Sequence, residues 1–468
     1  MTIRWNNSEV WYIVAGLGVA LLAAPAMAQT PGETVLYAFQ GGSDGENVVS
    51  GLVAGSGGVL YGTTQVGGGG NCTIYWSNGA VVGCGTVFEL TPPATEGGAW
   101  TERILYAFRG GADGAFPNTL VAGSGGVLYG TALGGGKGAS AGSGYGVVFQ
   151  LTPPATSGAA WKETDLYSFC AKTDCADGAY PDDGLVLAGG ALYGATTDGG
   201  SAGDGTVFKL TLATSTTAEK FASIYSFKGG SDGAFPSFGV IAGKSGVLYG
   251  ATNSGGGTSC NSGAGCGIVY ELTPPTTAGN PYTETILYAF PGGSDGANPA
   301  GRLSLLSTGA LLGAAGGGAF NYGEVYELAP PAVSGGAWTE SVLTSFDPGN
   351  LYGIPGGTFP NGEFVVGGNG SIYGTTYGGG DPNLQMGYYF PGTIFELTPP
   401  IEKGGAWVQS MLYSFQGGTD GLTPVWGLIV GPEGTLYGTT SVGGGTGCPA
   451  QAYNGMNIGC GTVFQFTP

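Results

Sequence analysis

Carboxylates at one repeated loop position are the first residues in this chain whose type and spacing could support chemistry. The pair Asp-Gly recurs there, with the aspartates Asp44, Asp113, Asp177, Asp232, Asp295 and Asp420. A ring of carboxylates could attract Ca²⁺ or a cationic ligand. The pair is also typical of turns, in which aspartate accepts backbone hydrogen bonds and glycine adopts a left-handed conformation. Because the clustered Asp-x-Asp-x-Asp pattern of a calcium loop is absent, we predict no metal site and no cofactor, with Ca²⁺ as the open alternative.

Aromatic residues outside the repeated positions are the second group of candidates, because aromatic faces with polar edges suit exposed binding surfaces. Five of them fall in two long glycine-rich loops, at Tyr75, Trp76, Tyr388, Tyr389 and Phe390. We predict that they and the six loop aspartates contact a ligand. Tryptophans that recur at one repeat position, such as Trp100 and Trp161, are instead expected to pack between repeats.

Residues for catalysis are scarce. The chain contains no histidine, which excludes Ser-His-Asp and Cys-His catalysis and histidine-based zinc or iron sites. A pair of carboxylates could still support a glycosidase, but no non-repeated pair stands out. We therefore predict no catalytic residue.

The eight cysteines form four close pairs along the sequence. They are Cys72 with Cys84, Cys170 with Cys175, Cys260 with Cys266, and Cys448 with Cys460. An even number of cysteines in an exported chain indicates disulfides. Each pair lies within one loop, whereas any other pairing would join different repeats, so we predict these four bonds.

These residues are positioned by a repeat. The phrase Leu60-Tyr61-Gly62-Thr63-Thr64 recurs in seven copies at intervals of 56–68 residues, and each copy contains four short apolar runs separated by glycine or proline. The pattern predicts a four-stranded antiparallel unit with strands a, b, c and d. We predict an all-β fold, a seven-bladed β-propeller over residues 29–468, in preference to a parallel β-solenoid, whose coils need fewer residues.

The first and last apolar segments predict how the ring closes. Residues 33–39 match strand d of the other repeats, and Thr462 to Phe466 match strand c. Pairing these two segments would complete the last blade and would cover an exposed sheet edge.

The phrases LYGTT, GTVFELTPP and LYSF-x-GG-x-DGA-x-P resemble the GloVer-type tandem repeat of exported bacterial proteins, over residues 33–468. The Gly-Val-Leu-Tyr-Gly hairpin has a weaker similarity to NHL-type propeller repeats. The resemblance implies the fold and export, and it implies no activity, because none is established for the family.

The N-terminus and the charge also indicate export. Residues 1–28 resemble a secretory signal, with an apolar stretch from Trp11 to Leu22 before Ala26-Met27-Ala28; an uncleaved anchor is the alternative. The net charge of −19 argues against a nucleic-acid partner. We expect a secreted, periplasmic or cell-surface monomer with no transmembrane segment after cleavage.

Three functions remain open from the sequence. The first is an exported binding or scaffold propeller, whose partner could be a polysaccharide or another surface protein. We expect the ligand to contact the face that bears the d–a and b–c loops, since these loops vary most. The second is a carbohydrate-active hydrolase or lyase that uses carboxylates at the channel mouth. The third is a structural surface protein that self-assembles.

Overall fold

The predicted seven-bladed β-propeller is confirmed. The computed structural model describes residues 32–468 apart from 74–80, 96, 140–141, 157, 183, 258–259, 278, 334, 348–353, 381–390, 403, 446–447, 449–451, 454–455 and 458. Within these residues there is no α-helix, and no helix is long and apolar enough to cross a membrane. The segment 1–28 lies outside the described residues, so the signal sequence stays a prediction.

Each blade is an antiparallel meander in the order a, b, c, d from one edge to the other. Strand a has the bounds Val53–Ala54, Ala115–Ala122, Ala179–Pro181 with Val186–Ala188, Ala234–Ala242, Ala297–Leu305, Ile354–Val366, and Leu422–Pro424 with Ile429–Val430. Strand b has the bounds Leu60–Thr64, Leu128–Gly134, Ala191–Asp198, Leu248–Ser254, Leu311–Gly316, Ile372–Gly380 and Leu436–Val442.

Strands c and d form the outer half of each blade. Strand c has the bounds Thr86–Thr91, Val147–Thr152, Thr206–Thr211, Ile268–Thr273, Glu324–Ala329, Thr393–Thr398 and Thr462–Thr467. Strand d has the bounds Thr101–Ala107, Lys162–Ser168, Lys220–Ser226, Thr283–Ala289, Thr339–Ser345, Val408–Ser414 and, in the seventh blade, Gly32–Ala38. A short hairpin of Ala452–Tyr453 and Met456–Asn457 lies in the last b–c loop.

Short 3-10 turns lie in the loops between strands. In the described residues they have the bounds Gly42–Asp44, Ser56–Gly58, Ser124–Gly126, Thr173–Cys175, Gly230–Asp232, Lys244–Gly246, Asn261–Gly263, Gly293–Asp295 and Pro432–Gly434. The turn Ser56–Gly58 joins strands a and b of the first blade. The turns at the same place in other blades are Ser124–Gly126, Lys244–Gly246 and Pro432–Gly434.

The glycine of the repeated Leu-Tyr-Gly phrase lets the blades pack. A Cβ at Gly62 would overlap the ring of Phe88 in strand c. Phe88 in turn meets Phe39, the residue that follows strand d of the neighbouring blade, with ring centroids 5.0 Å apart. The same edge-to-face contact crosses all seven blade junctions, with the other pairs being Phe108–Phe149, Phe169–Phe208, Phe227–Tyr270, Phe290–Tyr326, Phe346–Phe395 and Phe415–Phe464.

The first threonine after that glycine links strand b to strand a of the next blade. The Thr63 hydroxyl donates a hydrogen bond to the carbonyl of Asn118 over 3.0 Å, and the Thr439 hydroxyl donates to the carbonyl of Ser50 over 3.1 Å. The second bond joins the seventh blade to the first. Repeated tryptophans pack between blades as predicted, since Trp161 contacts Tyr61 and Trp100 contacts Tyr437.

Strand Gly32–Ala38 pairs antiparallel with Thr462–Thr467, and Val35 lies opposite Phe464. It is the fourth strand of the seventh blade, the place that the sequence predicted for it. The four predicted disulfides are also confirmed, as Cys72–Cys84, Cys170–Cys175, Cys260–Cys266 and Cys448–Cys460.

We predict that deleting residues 29–40 removes most of the stability of the whole ring. The deletion exposes the edge of Thr462–Thr467 and removes Phe39 from its contact with Phe88. The measurement is thermal unfolding of the deletion variant beside the intact protein. An unchanged melting temperature would show that this strand does not hold the ring together.

Candidate functional site

The predicted site residues fall into two groups in the structure. The five loop aromatics, Tyr75, Trp76, Tyr388, Tyr389 and Phe390, lie outside the described residues. Their role in binding stays a prediction. The six loop aspartates are described, and their contacts follow from the strand that precedes each of them.

Five of the aspartates serve as hydrogen-bond acceptors for their own loop and for strand d. Asp113 accepts from the Tyr106 hydroxyl over 2.9 Å and from the backbone N–H groups of Arg109 and Gly111. The matching tyrosine hydroxyls donate to Asp44, Asp177, Asp232 and Asp420. Burial and the Asp113 carboxylate raise the pKa of Tyr106, which keeps the hydroxyl protonated and able to donate. These contacts agree with the turn role that the sequence offered as one interpretation.

Asp295 is the exception among the six. It is exposed, and within the described residues its carboxylate accepts a hydrogen bond from the neighbouring Ser294 hydroxyl, with none from Tyr288. The aspartates are therefore not equivalent, although they occupy one repeat position.

A different set of residues meets on the ring axis. Strands a of all seven blades line a cavity of about 220 Å³ there. Most of its wall is apolar or glycine, for example Leu52, Leu120 and Leu428. Four larger side chains interrupt this wall, namely Phe238, Arg302, Glu363 and Trp426.

Bulges in strand a present these side chains. The strand register shifts between Ser237 and Val240 and between Ala300 and Ser304, and a bulge re-aims the residue within it. Adjacent bulges approach so closely that a Cβ at Gly301 would overlap the backbone of Gly362. Glycine is therefore required at Gly301, where these two backbones meet.

Phe238 has a left-handed backbone, with φ of 63°. The matching positions of the next two blades are the left-handed glycines Gly301 and Gly362. A side chain in this conformation costs about 1–2 kcal/mol, and such strain is concentrated at functional sites. The Phe238 ring lies edge-on to Trp426, with ring centroids 5.9 Å apart.

Arg302 and Glu363 replace glycine in two neighbouring blades. The corresponding residues of the first and seventh blades are Gly51 and Gly427. Arg302 and Glu363 form an ion pair of 3.6 Å, the one found in the described part of the chain. Arg302 also donates to the backbone carbonyls of Leu185 and Val240.

Two donors in this wall have no partner among the residues that the structure describes. The indole Nε1 of Trp426 and the Nε of Arg302 are buried and make no hydrogen bond. A buried donor without an acceptor costs about 1–3 kcal/mol. The site therefore combines two aromatic rings, a charged pair and two unpaired donors, which suits a small ligand rich in oxygen atoms.

Sequence reasoning missed the four channel residues. A signal was available for two of them, because Arg302 and Glu363 occupy a repeat position that holds glycine in most other repeats, for example Gly51 and Gly427. The side chains at this position face the axis only because strand a contains a bulge there. The alignment of the repeats alone does not reveal that bulge.

We predict that replacing Asp113 by alanine lowers the free energy of unfolding by about 2–4 kcal/mol, because it leaves Tyr106 and two N–H groups without an acceptor. Asp295→Ala is the matched control, and we expect a loss below about 1 kcal/mol from this exposed position. Denaturant unfolding of both variants measures the difference. Equal losses would contradict a fold-supporting role for the Asp113 carboxylate.

The geometry can be compared with known proteins. A profile of the Gloeobacter/Verrucomicrobia repeat matches residues 69–313 and 257–468. A search of curated proteins found no match.

Solved structures with similar folds include the PQQ-bound aldose sugar dehydrogenase of Streptomyces coelicolor, at 12% identity and a TM-score of 0.42, covering 93% of this chain and 98% of that one. An ulvan lyase, described as a new family of polysaccharide lyase, has 12% identity and a TM-score of 0.47, and the coverage is 88% and 90%. A luciferin-regenerating enzyme has 13% identity and a TM-score of 0.39, with 73% and 87% covered.

The profile match covers most of the chain, and each repeat that it spans is one blade of the ring. This chain belongs to the Gloeobacter/Verrucomicrobia repeat family.

Proposed function

We propose that this protein is an exported binding propeller that holds a carbohydrate or a similar hydroxyl-rich ligand in its central channel. The observation that carries the proposal is the cluster of Phe238, Arg302, Glu363 and Trp426 on the axis. These four side chains break the repeat, and the indole Nε1 of Trp426 and the Nε of Arg302 have no partner among the described residues. Non-repeated side chains on a rigid scaffold are good candidates for binding.

The chemistry of the cluster favours a neutral, oxygen-rich ligand. Aromatic faces pack against the apolar face of a sugar ring, while hydroxyl groups both donate and accept hydrogen bonds. Arg302 offers donors and Glu363 offers acceptors, and as a pair they carry no net charge. The cavity of about 220 Å³ is smaller than the roughly 300–1,000 Å³ of drug-sized pockets, which suits one sugar unit or the end of a chain.

Export is the second part of the proposal. Four disulfides stabilise loops of the propeller, and such bonds persist in oxidising compartments. We place the protein outside the cytoplasm, in the periplasm, at the cell surface or in the medium.

The loop face with the d–a and b–c loops remains a second contact region in this proposal. The channel lining includes Val53, Ala122 and Ile429, which lead toward the a–b turns at the opposite face. A long ligand could therefore contact both the channel and a loop face, and variants must separate the two regions.

The test is a binding screen against polysaccharides and oligosaccharides, followed by titration of variants. We expect Trp426→Ala to weaken binding about 30-fold, equivalent to roughly 2 kcal/mol for a buried aromatic anchor. Glu363→Gln should weaken it less. Ile401→Ala and Glu402→Gln are controls, because both residues are exposed in a c–d loop and neither lines the channel.

Substitutions at Trp76, Tyr388, Tyr389 and Asp232 test the loop face, with the Thr-Pro-Pro loops as controls. If the loop-face variants alone lost binding and the affinity of Trp426→Ala were unchanged, the channel site would be refuted. The loop face would then be the binding region. Analysis of the screened polysaccharides for cleavage products tests the hydrolase or lyase alternative, for which Glu363 is the described carboxylate in the channel wall.

A further inference from the structure

Acidic side chains meet between the outer strands of adjacent blades. We define an acidic junction as a tyrosine of strand d, the aspartate of the loop that follows it, and a glutamate of strand d in the next blade. Five junctions have this composition, namely Tyr37–Asp44–Glu102, Tyr106–Asp113–Glu163, Tyr225–Asp232–Glu284, Tyr288–Asp295–Glu340 and Tyr413–Asp420–Glu33.

The same atom of every junction glutamate is buried without a partner. The Oε1 atoms of Glu33, Glu102, Glu163, Glu284 and Glu340 are closed off from solvent and accept no hydrogen bond. An ionised carboxylate with one oxygen left in this way is costly, because neither water nor a donor reaches that oxygen. The recurrence at five junctions shows that the arrangement belongs to the repeat.

Few positive groups are available to balance these glutamates. Arg109 acts on Glu163, and Lys228 acts on Glu284. No basic side chain acts on Glu33, Glu102 or Glu340 within the described chain. In the same residues no group of three or more acidic or cysteine side chains is arranged to hold a metal ion.

Two carboxyl groups in contact cannot both be ionised without strong repulsion, and one proton shared between them removes it. Glu33 lies against both Asp420 and Tyr413, and the two carboxyl oxygens of Asp420 already accept hydrogen bonds from the Tyr413 hydroxyl and from the N–H of Gln416. The glutamate is therefore the partner that keeps the proton.

We propose that protonated glutamates at the acidic junctions hold neighbouring blades together, so that the ring is tighter in mild acid and loosens as the pH rises. At the junctions of Glu33, Glu102 and Glu340 the proton takes the place of a basic side chain or a metal ion. The device does not involve the channel and is independent of the proposed ligand.

The electrostatics of the junctions agree with this proposal. Burial first, and then Asp44, raises the pKa of Glu102 to about 7. Burial, Asp113 and Asp165 raise the pKa of Glu163 to about 7 against the opposing effect of Arg109. The pKa of Glu284 rises to about 7 through burial and Asp232, against Lys228.

Glu33 has the highest pKa of the junction glutamates that carry a value, at about 8, because burial and Asp420 both favour its neutral form. A glutamate whose pKa is raised on folding stabilises the folded state fully below its unfolded value near 4.5. That stability is lost as the pH rises through the folded values of about 7 to 8.

The junction between the fourth and fifth blades contains an additional acid. Glu324 is wholly buried, and both of its carboxyl oxygens lack a partner. It faces Glu340 and Asp295, and burial with these charges raises its pKa to about 8. Ala315, opposite Glu324 in strand b, leaves space where other blades place a threonine pair such as Thr64 and Thr86.

The tyrosines at the junctions stay neutral through the relevant range. Burial, Glu340, Asp295 and Glu324 raise the pKa of Tyr288 to about 12. Tyr270 and Tyr326 are fully buried beside Glu284 and Glu324, respectively, and their pKa values are raised as well. The glutamates are therefore the groups that respond near neutral pH.

Two junctions lack the glutamate and provide an internal contrast. Phe221 occupies its place in the third blade and stacks on Tyr167 at 3.6 Å. Gln409 occupies it in the sixth blade and accepts a hydrogen bond from the Thr344 hydroxyl over 2.8 Å. Neither Phe221 nor Gln409 can titrate.

The test is thermal unfolding of the full chain between about pH 5 and pH 9. We expect the melting temperature to fall by about 5 °C or more across this range. The triple variant Glu102→Gln, Glu163→Gln, Glu284→Gln should flatten the fall and should melt higher than the parent at about pH 9. Glu219→Gln, at an exposed position, is the control and should follow the parent.

Infrared spectroscopy gives a second measurement that does not depend on melting. The band of protonated carboxyl groups should persist in the folded parent at about pH 6, where exposed carboxyl groups are ionised, and should shrink in the triple variant. A melting temperature that is flat or rises with pH would overturn the proposal. So would stabilisation by Ca²⁺ at neutral pH that EDTA reverses, because a cation would then replace the proton.

Discussion

The contact on which this ring depends is an aromatic pair that crosses each blade junction. A phenylalanine at the end of strand d meets a phenylalanine or tyrosine of the next strand c, with centroids 5.0–5.2 Å apart at all seven junctions. The ring of strand c lies over the glycine of Leu-Tyr-Gly, where any Cβ would overlap it. The glycine of strand b, the aromatic ring of strand c and the spacing between blades therefore depend on one another. The repeat keeps all three together, while the residues around them vary.

That constraint explains why the departures from the repeat are informative. Where Ala132 replaces the second threonine of strand b, its strand c neighbour is Val147, and where Ala315 does so, the neighbour is Glu324. In these two blades both members of the pair change together, whereas the fourth blade keeps Thr252 opposite Ile268. Arg302 and Glu363 also change as a pair, across two blades, and their side chains meet on the axis.

The sequence was sufficient for the elements that depend on local pattern and on repetition. Strand number, the seven blades, the place of Gly32–Ala38 and the four disulfides all follow from short phrases that recur. The channel site does not follow, because Phe238, Arg302 and Trp426 face the axis only through bulges whose register is set by neighbouring blades. The loop aspartates were found at the correct position, but their tyrosine partners lie seven or more residues earlier on another element, and that distance depends on the strand geometry.

The pairing of Gly32–Ala38 with Thr462–Thr467 has a kinetic consequence. Ala38 and Thr462 lie opposite each other although they are 424 residues apart in the chain. During synthesis, the first strand has no partner until the last one has been made, so the closed ring cannot form on a partial chain. Contacts of such long sequence separation form slowly because the loop must lose entropy before they are made. Closure of the ring is therefore expected to be a late step in the folding of this chain, after the blades between the two end strands have formed.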